Sequence, residues 1–564
     1  MNETVNKNNI MKQNNIFHFI IFAFLFLFQT KVSGQDAEII YGNQSLKLNK
    51  PTEIISKNLE KIKVFNLKNI GIKVSISFQT LKENEGVFCR KVSIESKAKL
   101  TQNLTVRLPL SVSDITAFSF PSKNGTLKTG DFTNDFKASY QCAGVNYDYE
   151  NNLAFPMVSF SKANNNYMIA ADPYFSTAYH SKTIEWTYPK EIGLTDTVET
   201  RLIYTIPYQG NLDDAVNLYY KYVLSDVPPG PAWIHDIAMV DYDYISDKGR
   251  GWYNDIDSLN ANISREERNK ICLSLHGWYD LVGRYCYNDS TGKLDNSWKS
   301  FAPSVGTLTL KDIHNRIAYA KSNGYRVVLY YADGIISGTK VPSYTKEKLM
   351  EGDAWSGEDV VGKSFKQNPC HPEVYKFYVN YAKALANEFG AEVDGFVWDE
   401  TFYISSDNRG NAYYPGYADR TFMRLVKECT SILHKVNDRA AFLTSDVITK
   451  DTLYNMNIPP YALVSDGTYM DSNCNPDTWS YNIFSNYRNS VWSCNWYPVT
   501  KFNLAKYGVL NYQAAVPISN GYGDSIGFSE LPPELKSEYL KLFRERSKNK
   551  TKLKYFQTLP TYSE

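Results

Sequence analysis

An antiparallel β-sandwich followed by a (β/α)8 barrel is the fold class this sequence predicts, and three observations predict it. Up to about residue 208 apolar and polar residues alternate in short runs; beyond residue 232 short apolar strands alternate with amphipathic helical stretches. Between the two lies Pro228, Pro229, Gly230, Pro231, a sequence that can continue neither helix nor sheet. A chain of 564 residues also exceeds the roughly 250–300 residues that one hydrophobic core organises, so two folded domains are expected.

The chain opens with Lys7 and Lys12, an apolar run over 16–28 (IFHFIIFAFLFLF), and the small-residue site Val32, Ser33, Gly34. This is the layout of a secretory signal peptide, assigned to 1–34. The apolar run is shorter than the roughly 20 residues of a spanning helix, so no integral membrane segment is expected after cleavage. The mature protein is therefore expected to be secreted or periplasmic.

The sandwich is assigned to 35–227 on runs such as 74–78 (VSISF), 104–110 (LTVRLPL) and 200–206 (TRLIYTI), with an amphipathic helix over 212–223. The barrel is assigned to 232–548. Its eight expected strands are 237–242 (IAMVDY), 272–278 (CLSLHGW), 326–331 (RVVLYY), 393–399 (VDGFVWD), 440–445 (AAFLTS), 462–466 (ALVSD), 490–496 (SVWSCNW) and 508–512 (GVLNY). Helices are expected over 310–322, 372–389, 417–436 and 533–546, which makes the βα rhythm of a parallel sheet. The basic run 547–554 (SKNKTKLK) reads as solvated chain leading into a tail over 549–564.

Charge narrows the partner. Lys and Arg number 61 against 60 Asp and Glu, which leaves no one-sign field to recruit nucleic acid. Eight cysteines would meet an oxidising compartment after export, and Cys272 with Cys286, and Cys474 with Cys494, are the pairs closest in sequence. With seven histidines and no Cys/His cluster, no metal or other cofactor is expected, though calcium would suit an oxygen-rich site.

In a (β/α)8 barrel the chemistry sits at the C-terminal ends of the strands. That rule selects Asp241 and Asp243 on strand one, Asp280 beyond strand two, Asp333 after strand three, Asp399 and Glu400 on strand four, Asp446 after strand five and Asp466 on strand six. It leaves Asp394, at the start of strand four, as a structural acid. So many carboxylates around one mouth suit a hydroxyl-rich ligand, an oligosaccharide or polysaccharide. Trp278, Trp398 and Trp496, at strand ends, could stack on sugar rings. Glycosidic cleavage needs two carboxyl groups astride the bond, and Asp399 with Asp466 is the expected pair, their separation deciding retention or inversion.

The segment Asn368, Pro369, a helix from 372 to 389, then Gly390 and 393–400 (VDGFVWDE) resembles the approach to the nucleophile in glycoside hydrolase family 31 and the related α-galactosidase clan. Arg326–Ile335 (RVVLYYADGI) is similar to that family's third strand. The resemblance implies Asp399 as nucleophile, Asp333 as a sugar ligand and Asp466 as acid/base, in a glycosidase acting on α-linked sugars. Strand four ends here in WDET where that family has a DMNE-type motif.

Other arrangements fit less well. Strand seven lacks the carboxylate that a Glu–Glu barrel hydrolase needs, and an α-amylase scheme, with Asp446 as acid, would want Arg where Val397 stands. A non-catalytic glycan-binding barrel is the main alternative function. A deacetylase or lyase would need His ligands or a Tyr/Lys base set that the sequence does not present.

Overall fold

A computed structural model describes residues 36–548 except 58–59, 83–84, 123–126, 143–144, 146, 148, 164, 229, 245–249, 281–282, 301–304, 332–335, 339–344, 360–361, 400, 402–408, 449–455, 458–459, 471–489, 494–509, 512–513, 518–522 and 527. The chain divides into two compact units, one running to Asp226 and the other from Val227.

The first unit is antiparallel β. A six-stranded sheet takes the order Lys137–Tyr140, Thr177–His180, Thr183–Tyr188, Leu104–Pro109, Ala37–Tyr41, Gln44–Leu48. A nine-stranded sheet runs from Glu53–Lys57 through the long strands Ile72–Lys82, Val87–Ser96 and Val198–Tyr208 to Leu127–Asp131. Strand Leu104–Pro109 alternates buried and half-exposed residues at period two, as a one-sided sheet requires. The sheets meet through buried side chains: Arg201 of the larger sheet lies 5.4 Å from the Trp186 ring of the smaller and hydrogen-bonds Thr177. Its charge is balanced by Asp172 at 3.0 Å, so a buried guanidinium is paired rather than stranded.

The second unit is mixed α/β, built on parallel strands that follow one another in chain order: strand one Met239–Tyr244, two Ile271–His276, three Arg326–Tyr331, four Gly395–Trp398, five Ala441–Ile448, six Gly467–Met470, seven Ser490–Ser493 and eight Leu510–Asn511. Each is hydrogen-bonded in parallel to the next from one to seven, and strand eight pairs back onto strand one. Among the described residues, helices occupy the crossovers from strand one to strand five. Leu310–Ser322 starts at a capping box in which Thr309 and Asp312 satisfy each other's backbone amides. Pro372–Phe389 has its proline in the first turn, where the missing N–H costs nothing. Ala418–Val436 follows strand four, and Pro533–Lys548 closes the described chain.

Strand four shows how the layers are wired. Trp398 packs against Tyr378 of one crossover helix and Phe422 of the next, with ring centroids 5.5 and 5.4 Å apart, so this parity of the strand faces helices. Val397 and Asp399 have the other parity.

Two expectations are corrected. The sixth strand does not run over 462–466: Pro460–Leu463 is a buried 3₁₀ turn and the strand begins at Gly467. A short apolar run reads the same in a strand and in a buried turn, which is why periodicity misassigned it. Cys272 and Cys286 are both free thiols, so that bridge does not form here; Cys474 and Cys494 lie outside the described residues, as do residues 1–34, where a leader is expected. No helix among the described residues is long and apolar enough to cross a membrane.

Candidate active site

The C-terminal ends of strands two, three and four converge on one carboxylate. Asp399 directly follows strand four, and its amide donates to the Tyr331 carbonyl at 2.9 Å, extending the ladder with strand three by one residue. Its carboxylate is half-exposed and accepts a hydrogen bond from the Tyr330 hydroxyl. Tyr330 is itself buried, its backbone carbonyl accepting from the Tyr285 hydroxyl at 2.9 Å and its ring set edge-on against His276, centroids 3.9 Å apart. The Tyr279 hydroxyl lies 3.3 Å from His276 Nε2. Burial pushes the His276 pKa well below the ordinary imidazole value, so this ring is neutral near pH 7. Among the described residues the group comprises one carboxylate, one neutral imidazole and two phenols, with Asp399 the member that reaches solvent.

The sheet's opposite end also carries acids, all engaged. Asp394, just before strand four, accepts from Lys321 at 2.5 Å, Arg326 at 2.7 Å and the Val327 amide at 2.9 Å. It is the structural acid expected from its position.

Asp466 belongs to this end too, which corrects its assignment as the second catalytic acid. It precedes strand six, is 2% exposed, and accepts from His434 Nε2 and the Phe442 amide, both at 2.8 Å. Phe442 pairs with Phe396, three residues before Asp399, so the two acids stand about 10 Å apart along the strand direction alone. That separation and the missing solvent path leave Asp466 a structural role.

Other expected residues separate in the same way. Asp241 is third of six residues in strand one rather than at its end, is 2% exposed, and acts electrostatically on Tyr539 of the last helix. Trp278 is 1% exposed with the Arg316 guanidinium 3.9 Å from its ring centre, and Trp398 is buried among helix aromatics, so neither offers a free face to a sugar. Large flat rings at strand ends serve core and ligand equally well, and sequence alone does not separate the two uses. Asp280 accepts from the Arg284 amide at 3.0 Å and shapes the turn after strand two. Asp446 pairs in register with Met470 on strand six and has the parity of Thr444, partner of Trp398. Asp333, Glu400 and Trp496 lie outside the described residues.

Tyr330 and His276 were missed by a reading that searched for acids. The signal was present in RVVLYY: two consecutive tyrosines at a strand's end send one ring to each face. Among the described residues no group of three or more His, Cys, Asp or Glu could hold a metal ion.

No family model matches this chain, and no curated protein does. Solved structures do. The galactosidase domain of the α-galactosidase–sucrose kinase AgaSK aligns over 92% of this chain and 72% of its own at TM-score 0.54 and 11% identity. The GH36 α-galactosidase AgaA from Geobacillus stearothermophilus aligns over 91% and 73% at TM-score 0.52 and 10% identity. The α-N-acetylgalactosaminidase NagBb from Bifidobacterium bifidum, solved with GalNAc, aligns over 92% and 88% at TM-score 0.51 and 9% identity. At such identities the likeness is one of fold, and it spans both units of the chain.

Proposed function

We propose that this protein is a glycoside hydrolase cleaving α-linked sugars, with Asp399 as nucleophile, or as base if the reaction inverts. The carrying observation is Asp399 itself, a solvent-reaching carboxylate at the C-terminal end of strand four, oriented by a buried tyrosine. Eight parallel strands in chain order, the last paired to the first, support reading the second unit as a (β/α)8 barrel, whose active sites lie at that end. Similarity in fold to α-galactosidases and an α-N-acetylgalactosaminidase makes α-galactosides the first substrates to test and favours the α-galactosidase clan over family 31.

Cleavage needs a second carboxyl group to protonate the departing oxygen while Asp399 attacks the anomeric carbon or deprotonates water. With Asp466 excluded, Asp471, which lies outside the described residues, is the candidate that the sequence offers next along the chain. No cofactor is needed for this chemistry, and the leader over 1–34 supports action outside the cytoplasm.

A fluorinated α-galactosyl trap followed by peptide mass analysis tests the assignment. A retaining enzyme should carry the label on Asp399, and D471N should slow turnover of substrates with poor leaving groups far more than those with good ones. Label on another residue would overturn the nucleophile. Glycan binding without turnover across an α-glycoside panel would identify a non-catalytic barrel instead.

A further inference from the structure

The six-stranded sheet of the first unit carries a row of charges running across its strands. In register, Lys47 pairs with Glu38, Glu38 with Arg107, and Arg107 with Glu185, so four neighbouring strands each supply one charge in alternating sign. Paired residues share a face, and the intervening positions Ile39, Val106 and Trp186 are wholly buried, so the row lies on the side of the sheet away from the sandwich core.

Much of the row is spent internally. Arg107 donates from Nε to Glu185 at 2.8 Å and from Nη1 to Glu38 at 3.0 Å; Ser45 donates to the other Glu38 oxygen at 2.5 Å, and His180 lies 3.4 Å from Glu185. The Ser45 and Arg107 hydrogen bonds hold Glu38 below the usual carboxylate range. Tyr149 packs its ring edge-on against His180, centroids 5.7 Å apart.

Around this row is an open cleft of about 620 Å³ whose walls include Glu38, Lys47, Arg107, His180, Lys182 and Thr183. That volume is ample for a small ligand. What remains unspent in it is cationic. Arg107 Nη2 makes no hydrogen bond among the described residues, and neither exposed lysine, Lys47 or Lys182, comes within ion-pair distance of a described carboxylate. Three cations line the cleft against one carboxylate, Glu38, that is already engaged by Ser45 and Arg107.

We propose that this cleft is a second ligand site, binding an oligosaccharide that bears a carboxylate or sulfate group. The anion sits among Lys47, Lys182 and the free edge of Arg107, while ring hydroxyls donate to the remaining lone pairs of Glu38 and bond to Thr183. The saccharide half of this assignment rests on the glycosidase reading; the anion half rests on the cleft alone. Such a site would hold acidic glycan on the first unit, apart from the Asp399 chemistry.

Calorimetric titration of the full chain at low salt tests it with three probes of equal length: an oligogalacturonide, a sulfated galacto-oligosaccharide and a neutral galacto-oligosaccharide. At least one anionic probe should bind with one-to-one stoichiometry, weaken as salt rises, and exceed the neutral probe by about tenfold or more. Which anionic probe wins identifies carboxylate or sulfate as the recognised group. The double variant Lys47→Ala, Lys182→Ala should weaken that binding by about tenfold or more, with an unchanged melting temperature because both side chains are exposed. No anion-dependent binding, equal affinity for the neutral probe, or full affinity in the double variant would each overturn the site. Hydrolysis of an aryl α-galactoside, read in parallel, separates the two assignments: an active chain that fails to bind loses only the cleft, and an inactive chain that binds loses only the active site.

Discussion

The carboxylates at the two ends of the parallel sheet are treated in opposite ways. At the N-terminal end Asp394 and Asp466 are buried and engaged, one by two cations and an amide, the other by an imidazole and an amide. At the C-terminal end Asp399 keeps an opening to solvent and is steered by the Tyr330 hydroxyl. A buried acid whose acceptor sites are filled is anchored, because any change in its charge leaves cations or amides unpaired. An acid that reaches solvent beside a neutral donor can be approached by a substrate, so solvent access separates the candidate acid from the structural ones better than lying near a strand end does.

The largest expected effect would break this contrast outright. Asp399→Asn should cost about 10⁴-fold or more in kcat/KM on an aryl α-galactoside with an unchanged melting temperature. Near-full activity would remove Asp399 from the chemistry. The mirror experiment is Asp394→Ala, which strands Lys321, Arg326 and the Val327 amide and should lower the unfolding free energy by about 3–5 kcal/mol in denaturant titration. The activity per folded molecule should be unchanged.

A smaller effect sharpens the upper end. Tyr330→Phe keeps the ring against His276 and removes only the hydroxyl, so kcat should fall about tenfold while KM changes little, because the lost hydrogen bond orients the reacting carboxylate. Equal falls in kcat and melting temperature would make Tyr330 merely structural.

The smallest effect belongs to the lower end. Burial disfavours a charged His434, but its hydrogen bond to Asp466 and the charge of that carboxylate outweigh burial, so its pKa lies above the ordinary 6.5. A group protonated more readily when folded adds stability that is complete below its unfolded pKa and is lost as pH rises through the folded value. Unfolding free energy should therefore decline from about pH 6.5 upward by a component absent from Asp466→Asn, measured as the difference between the two pH–stability curves.

Much of the fold was legible because periodicity reports burial. The strand Arg326–Tyr331 and the helices Leu310–Ser322 and Pro372–Phe389 have the bounds their patterns imply, the helices marked also by Thr309 with Asp312 and by Pro372. The alternating runs of the first unit form the antiparallel strands expected of them. Strand six was misread because ALVSD is apolar for the sake of a buried turn, and that slip moved Asp466 to the wrong end of the sheet. Trp278 was misread because nothing local reveals the Arg316 guanidinium over its ring. Asp333, Glu400 and Trp496 gain nothing from the structure, since they lie outside the described residues.

Gly395, between the anchored Asp394 and the rest of strand four, has a further consequence. A methyl group on its α-carbon would stand 2.3 Å from the Ala441 carbonyl oxygen, so strands four and five touch here as only a glycine permits. From that fixed origin the strand works as a ruler, with three residues, Phe396, Val397 and Trp398, measured off before Asp399. One inserted residue would swing the carboxylate into the helix layer, and one deleted would do the same. The aim of the proposed nucleophile is set at the floor of the sheet, by a residue outside the proposed site.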